Sequence, residues 1–176
     1  MKKMPVFFLL CFMLTQAAAQ AQRKISTYLS AQYSQTVYDK TLGNNPWGTG
    51  LGLQIFLHTN TKFTPTAEFT GDLYLADDKV LRLTSDGKTI EDIGGVVNLF
   101  AGSSFRVSKN SYVSLLAGPG FINGKTYLGI KPSFGFYFST DQKLTGKLSY
   151  TNIFNRDKIT KDDFGSVSFS VGVKVF

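Results

Sequence analysis

A nucleophilic enzyme needs a base within reach of its nucleophile, and this 176-residue chain has one histidine, His58. A His, Ser and acidic constellation would suit a lipid-modifying hydrolase. His58, however, falls at the end of an apolar alternating stretch beside the short turn "TNT" (59 to 61), and nothing in the spacing brings a nucleophile to it. A structural or solvated histidine is expected, with no catalytic residue. Metal ligation lacks a histidine pair, and the single cysteine, Cys11, lies in an N-terminal apolar run, so no metal site is expected. The acidic stretches "ADD" (76 to 78) and "KDD" (161 to 163) lack calcium-loop spacing and read as solvated charge. "TGLGLQ" and "AGPGF" are glycine-rich, but neither precedes a helix that could present N–H groups to a phosphate. No cofactor is expected. The net charge of +7 comes without a basic stripe, which argues against a nucleic-acid partner.

The N-terminal segment has to be set aside before the elements are read. Lys2 and Lys3 precede an apolar run from Val6 to Leu14 and then small residues, the pattern of a secretory signal peptide over residues 1–21, cleaved after Ala19 or Ala21. The apolar run is far short of the roughly 20 residues a spanning helix needs. Leu10, before Cys11, is not the small residue a lipoprotein signal requires, so no lipid anchor is expected. The remainder, 22–176, has no cysteine for a disulfide and is one domain by length.

Beyond the signal the apolar period is 2, not 3.6. Eight strands are expected over 24–38, 47–58, 62–75, 93–107, 111–121, 126–139, 143–154 and 164–176, each as long as the roughly 9–11 residues that cross a bilayer at a tilt. Leu128, Ile130, Phe134, Phe136 and Phe138 share one face of the sixth, opposite Gly129, Lys131, Ser133 and Gly135. In the last strand Val167, Phe169, Val171, Val173 and Val175 oppose Ser166, Ser168, Ser170, Gly172 and Lys174. Turns at 59–61, 108–110 and 140–142 are short. The segments 39–46, 76–92 and 155–163 are longer, and only "NGK" at 123–125 breaks the alternation. These features specify an all-β fold, an eight-stranded antiparallel up-and-down transmembrane β-barrel.

Alternation alone fits a soluble lipocalin-like carrier equally well, with the apolar face turned inward. The polar face decides for lipid outside: Glu68, Asp72, Arg106, Lys131, Lys143, Lys147 and Lys174, set among small residues, suit a narrow lumen where mixed charges pair. Trp47, Phe63, Phe121, Phe138 and Phe154 lie near the ends of the apolar face, as interfacial girdles require. Neighbouring strands must match faces. A three-residue Ser85-Asp86-Gly87 turn satisfies this within the longest loop and would set Glu68 diagonal to Arg106. Pro65, Pro119 and Pro132 fall within strands and predict bulges or ladder breaks.

With its signal peptide, eight amphipathic strands, alternating short turns and long loops, and terminal Phe176, the chain resembles the small outer-membrane β-barrel family that includes the OmpA membrane domain and OmpX-like proteins. The resemblance covers the whole chain after the signal. It implies the outer membrane of a Gram-negative bacterium, both termini on the periplasmic short-turn side, outer-membrane lipids as surroundings, and the barrel assembly machinery as reader of a terminal aromatic. In that family the final Phe runs in phase with the lipid-facing residues, whereas the alternation here puts Phe176 in the interior phase. The function expected is structural, or surface interaction with a loop ligand that the sequence does not identify. A soluble carrier and a lipid-modifying enzyme are the alternatives.

Overall fold

The computed structural model describes residues 25–37, 44–76, 93–156 and 163–176. The signal segment, the tip at Ser85-Asp86-Gly87 and most of both acidic stretches lie outside them. The strands are β1 (Ile25–Thr36), β2 (Asn44–Leu57), β3 (Phe63–Ala76), β4 (Gly95–Arg106), β5 (Ser111–Ile122), β6 (Lys125–Tyr137), β7 (Leu144–Ile153) and β8 (Phe164–Lys174). Each pairs antiparallel with the next, and β8 closes on β1 from Tyr28↔Lys174 to Thr36↔Ser166, so no strand edge is open.

The period-2 pattern becomes an inside-out molecule. Leu51, Leu73, Leu115 and Leu128 stand exposed on the outer surface, as do Val167, Phe169, Val171 and Val173. Ser, Thr, Gln, Asn, Asp, Glu and Lys side chains fill the inside. A lipocalin-like carrier requires the reverse, an apolar interior under a polar skin.

Local chemistry sets the registers. The turns over 108–110 and 140–142 give the expected pairings, with Val107 N–H donating to the Ser111 carbonyl at 3.0 Å and Phe138 N–H to that of Leu144 at 3.1 Å. Asn123 and Gly124, both with positive φ (50° and 72°), form a two-residue turn of the type that matches strand twist. Two registers differ from expectation. β2 pairs with β3 through Phe56↔Thr66, two residues off a turn at 59–61, and β3 pairs with β4 through Glu68↔Phe100, four residues off a turn at 85–87. Both offsets are even, the only kind the buried faces tolerate.

The prolines act through their missing N–H. β4–β5 pairing lapses at Pro119, between Asn98↔Gly120 and Ala101↔Ala117, and β6–β7 pairing lapses at Pro132, between Ile130↔Asn152 and Ser133↔Ser149. Register resumes unchanged after each. Pro65 causes no lapse: it pairs with Ser103 and lies just past the last β2–β3 rung. The β2–β3 register shift instead falls between Asn44 and Gly48, around Pro46.

Candidate functional site

The inward side chains stack in layers. At mid-height Glu68 of β3 accepts a hydrogen bond from Lys131 Nζ of β6 at 2.6 Å and, on its other oxygen, from Lys147 Nζ of β7 at 2.7 Å. All three side chains are at most 5% exposed. Lys147 also donates to Gln54 Oε1 at 3.1 Å, and the Tyr112 hydroxyl reaches the same oxygen at 3.4 Å. Five strands are thereby tied across the lumen. Such an arrangement follows from alternation plus closure: when the sheet curls, inward groups far apart in sequence converge, and buried charges must find partners there. One layer nearer the long-loop end, Asp72 Oδ1 accepts from Gln32 Nε2 at 2.7 Å and Ser34 Oγ at 2.8 Å. Glu68 and Asp72 together balance Lys131 and Lys147.

Apolar clusters lie above and below this polar middle. Toward the long-loop end Tyr74, Ile93, Val96, Ile122, Ile153 and Phe164 pack together, with Tyr74 and Phe164 edge to face at 6.0 Å. Toward the short-turn end Tyr28, Phe56 and Tyr112 pack with Tyr137, with Tyr28 and Tyr112 each edge-on to Phe56. These interior aromatics do not stand out in the sequence, because they occupy the polar phase. A usable signal was present: large rings in that phase face glycines on the next strand, as Tyr112 of β5 does Gly135 of β6.

Arg106 and Lys174 depart from the expected interior network. Both are exposed at the short-turn rim, because they occupy the last inward-phase rungs where the barrel opens. The diagonal pairing of Glu68 with Arg106 fails with the four-residue offset. Arg106 N–H instead donates to the Lys62 carbonyl at 2.9 Å, and Glu68 turns to the two lysines. Exchanging the charges with Glu68→Lys and Arg106→Glu should restore no stability beyond the sum of the single changes. Denaturant unfolding of the four-member cycle checks this, and a coupling above about 1 kcal/mol would reinstate the pairing.

Phe176 is 65% exposed. Val175 and Phe176 N–H both donate to the Thr27 carbonyl, at 2.8 and 3.4 Å, while Thr27 N–H donates to the Phe176 carbonyl at 3.0 Å. Two residues of the final strand thus oppose one of β1, a bulge that advances the phase by one residue. It corrects the expectation that Phe176 falls in the interior phase.

His58 Nε2 lies 2.8 Å from Ser26 Oγ, and its ring stacks on Phe56. Burial, then Arg106 and Lys174, hold its proton affinity below the usual histidine range. Among the described residues no carboxylate bonds to the ring, and Ser26 is buried.

A closed eight-stranded antiparallel barrel with an apolar exterior and a charged, layered interior is the architecture of small outer-membrane β-barrels. Solved structures share this fold. The attachment invasion locus protein Ail of Yersinia pestis aligns at TM-score 0.56 with 15% identity, over 86% of this chain and 97% of that one. Neisserial surface protein A aligns at TM-score 0.51 with 13% identity, over 85% and 96%. No protein-family model matches the chain, and neither does any curated protein.

Proposed function

We propose that the chain is an integral outer-membrane β-barrel of a Gram-negative bacterium, non-enzymatic and closed to general diffusion, whose long-loop end engages a ligand or neighbouring protein. The observation that carries this reading is the inversion of the molecule. A continuous apolar belt faces out while Glu68, Lys131 and Lys147 are buried within, an arrangement stable only where the surroundings are less polar than the interior. Aromatic side chains bound the belt, with Phe63 against Phe105 and Phe136 against Phe138 at the short-turn end, and Tyr33 stacked on Trp47 at the other. Apolar clusters above and below the charged layer support a lumen filled by side chains, as eight strands allow. The surface-interaction role draws support from the neighbour named for attachment and invasion.

The test is fractionation. The protein should stay with membranes through a carbonate wash, dissolve only in detergent, and run faster on a gel before boiling than after it. Release by carbonate, or solubility without detergent, would reject the membrane reading.

A further inference from the structure

The apolar belt is not even. On the outer face of β1, β2 and β3 one rung reads Ala31, Leu51 and Gly71. The next rung toward the long loops reads Tyr33, Thr49 and Leu73, with Gly95 following on β4. Ala31, Thr49, Gly71 and Gly95 carry little or no side chain, so the wall is thin on four neighbouring strands at one height. The result is a depression of about 870 Å³, within the roughly 300–1,000 Å³ of small-molecule sites. A Cβ built on Gly71 meets nothing within 4 Å. Phe169 of β8 stands beside Tyr33 at one edge, and Phe69 of β3 bounds the depression toward the short turns.

These residues all stand in the outward phase of their strands, so the depression is part of the lipid-facing belt itself. The outward side chains that line it are apolar except for two hydroxyls, those of Thr49 and Tyr33. Both lie at its upper end. Tyr33 stacks on Trp47 in the aromatic boundary of the belt, and its hydroxyl makes only a long contact, 3.4 Å, to Gln35 Oε1. The depression thus runs from interfacial height down into the belt, with its polar groups where a bilayer places its carbonyls.

We propose that this depression seats a single acyl chain of a bilayer lipid in the leaflet at the long-loop end, with the chain's carbonyl beside the Tyr33 hydroxyl. The proposal rests on the membrane reading above. Continuity with the belt selects the occupant, because whatever covers the belt must also fill its dent. A second copy of the chain fits worse. A two-fold dimer on this face sets the patch against itself, depression over depression, and encloses a void whose lining has lost its contacts. A flexible chain instead follows the irregular wall and fills it.

Trp47, the only tryptophan, stands against the wall of the depression and reports on its occupant. The full chain, refolded into phosphatidylcholine vesicles and moved into non-denaturing detergent until bulk lipid is gone, should retain a single phosphatidylcholine by native mass spectrometry. Bromine quenches tryptophan on near contact, so when that lipid carries bromine along its acyl chains Trp47 should lose emission in the detergent solution. Ala31→Leu combined with Gly71→Leu fills the depression and should abolish both the retention and the quenching. Ala101→Leu combined with Ala117→Leu adds similar bulk to exposed outward positions of β4 and β5 and should leave both intact. No retained lipid in the natural chain, undiminished retention in the filled variant, or a retained brominated lipid that leaves Trp47 bright overturns the proposal. A lipid-free dimer that the filled variant breaks overturns it too, and would assign the face to a second copy. Should the filled variant fail to fold, the natural chain's quenching decides. Failure of the natural chain to fold into vesicles would instead reject the membrane reading, and this proposal with it.

Discussion

A Glu68→Gln variant should lose about 3–5 kcal/mol of unfolding free energy, the cost of removing one partner from a buried ion pair. Here that partner serves two cations. Lys131 and Lys147 place their ammonium groups 2.6 and 2.7 Å from opposite oxygens of the carboxylate, and an amide offers one acceptor oxygen in place of two charged ones. Asp72 is the other buried carboxylate among the described residues. It sits four residues along β3, about 13 Å away at strand rise, and is bonded to Gln32 and Ser34, so it cannot replace Glu68 at contact distance. Urea unfolding in detergent, followed by the heat-dependent gel shift, measures the loss. A second variant separates charge balance from shape. Glu68→Leu, Lys131→Met and Lys147→Met together remove every charge of the layer, and stability near or above that of the natural chain is expected, since apolar replacement of a whole buried network is often neutral or stabilising. A single variant within about 0.5 kcal/mol of the natural protein would mean that the layer is solvated and the charges are not bound to one another.

That layer also shows how far a sequence of this kind can be read. Period-2 alternation identified Glu68, Asp72, Lys131 and Lys147 as inward because a face is a local property, fixed by parity within one strand. Which of them meet is a property of closure. Glu68 and Lys147 are 79 residues apart, and their contact depends on the register of every strand between them. The three-residue turns at 108–110 and 140–142 set their registers as local hairpin geometry predicts, whereas the equally short 59–61 turn does not, its β2–β3 pairing lying two residues away. The 77–92 segment fixed none, since a long connection permits several even offsets, and the assumed one put Arg106 beside Glu68. Arg106 and Lys174 share the phase of the buried lysines but not their height, and alternation carries no information about height. Phe176 shows the opposite limit: one bulge at Thr27 reverses a phase that the preceding residues had set consistently.

The tyrosine and phenylalanine rings in the polar phase carry the second large effect. Gly135 of β6 faces Tyr112 of β5, and a Cβ placed there would overlap the ring and its hydroxyl. Tyr112 has little room to withdraw, because Phe56 stands edge-on at 5.2 Å and Tyr137 lies 5.5 Å away. Gly135→Ala should therefore cost about 1–3 kcal/mol, as overpacking of a tight interior does. Gly71, on the outer face of β3, is the matched control. Nothing lies within 4 Å of a Cβ built there, so Gly71→Ala should be neutral or stabilise by about 0.4–1 kcal/mol through the lost freedom of the unfolded chain. The cause can be isolated with a double-mutant cycle. Tyr112→Ala alone should cost about 3–5 kcal/mol by emptying part of the aromatic cluster. In that background the methyl of Gly135→Ala enters vacated space, so its penalty should vanish, giving a coupling of about 1–3 kcal/mol within the range that contacting residues show. Equal effects of Gly135→Ala and Gly71→Ala, or additive effects in the cycle, would show that the ring does not press on position 135. The short-turn end of the lumen would then be open rather than filled.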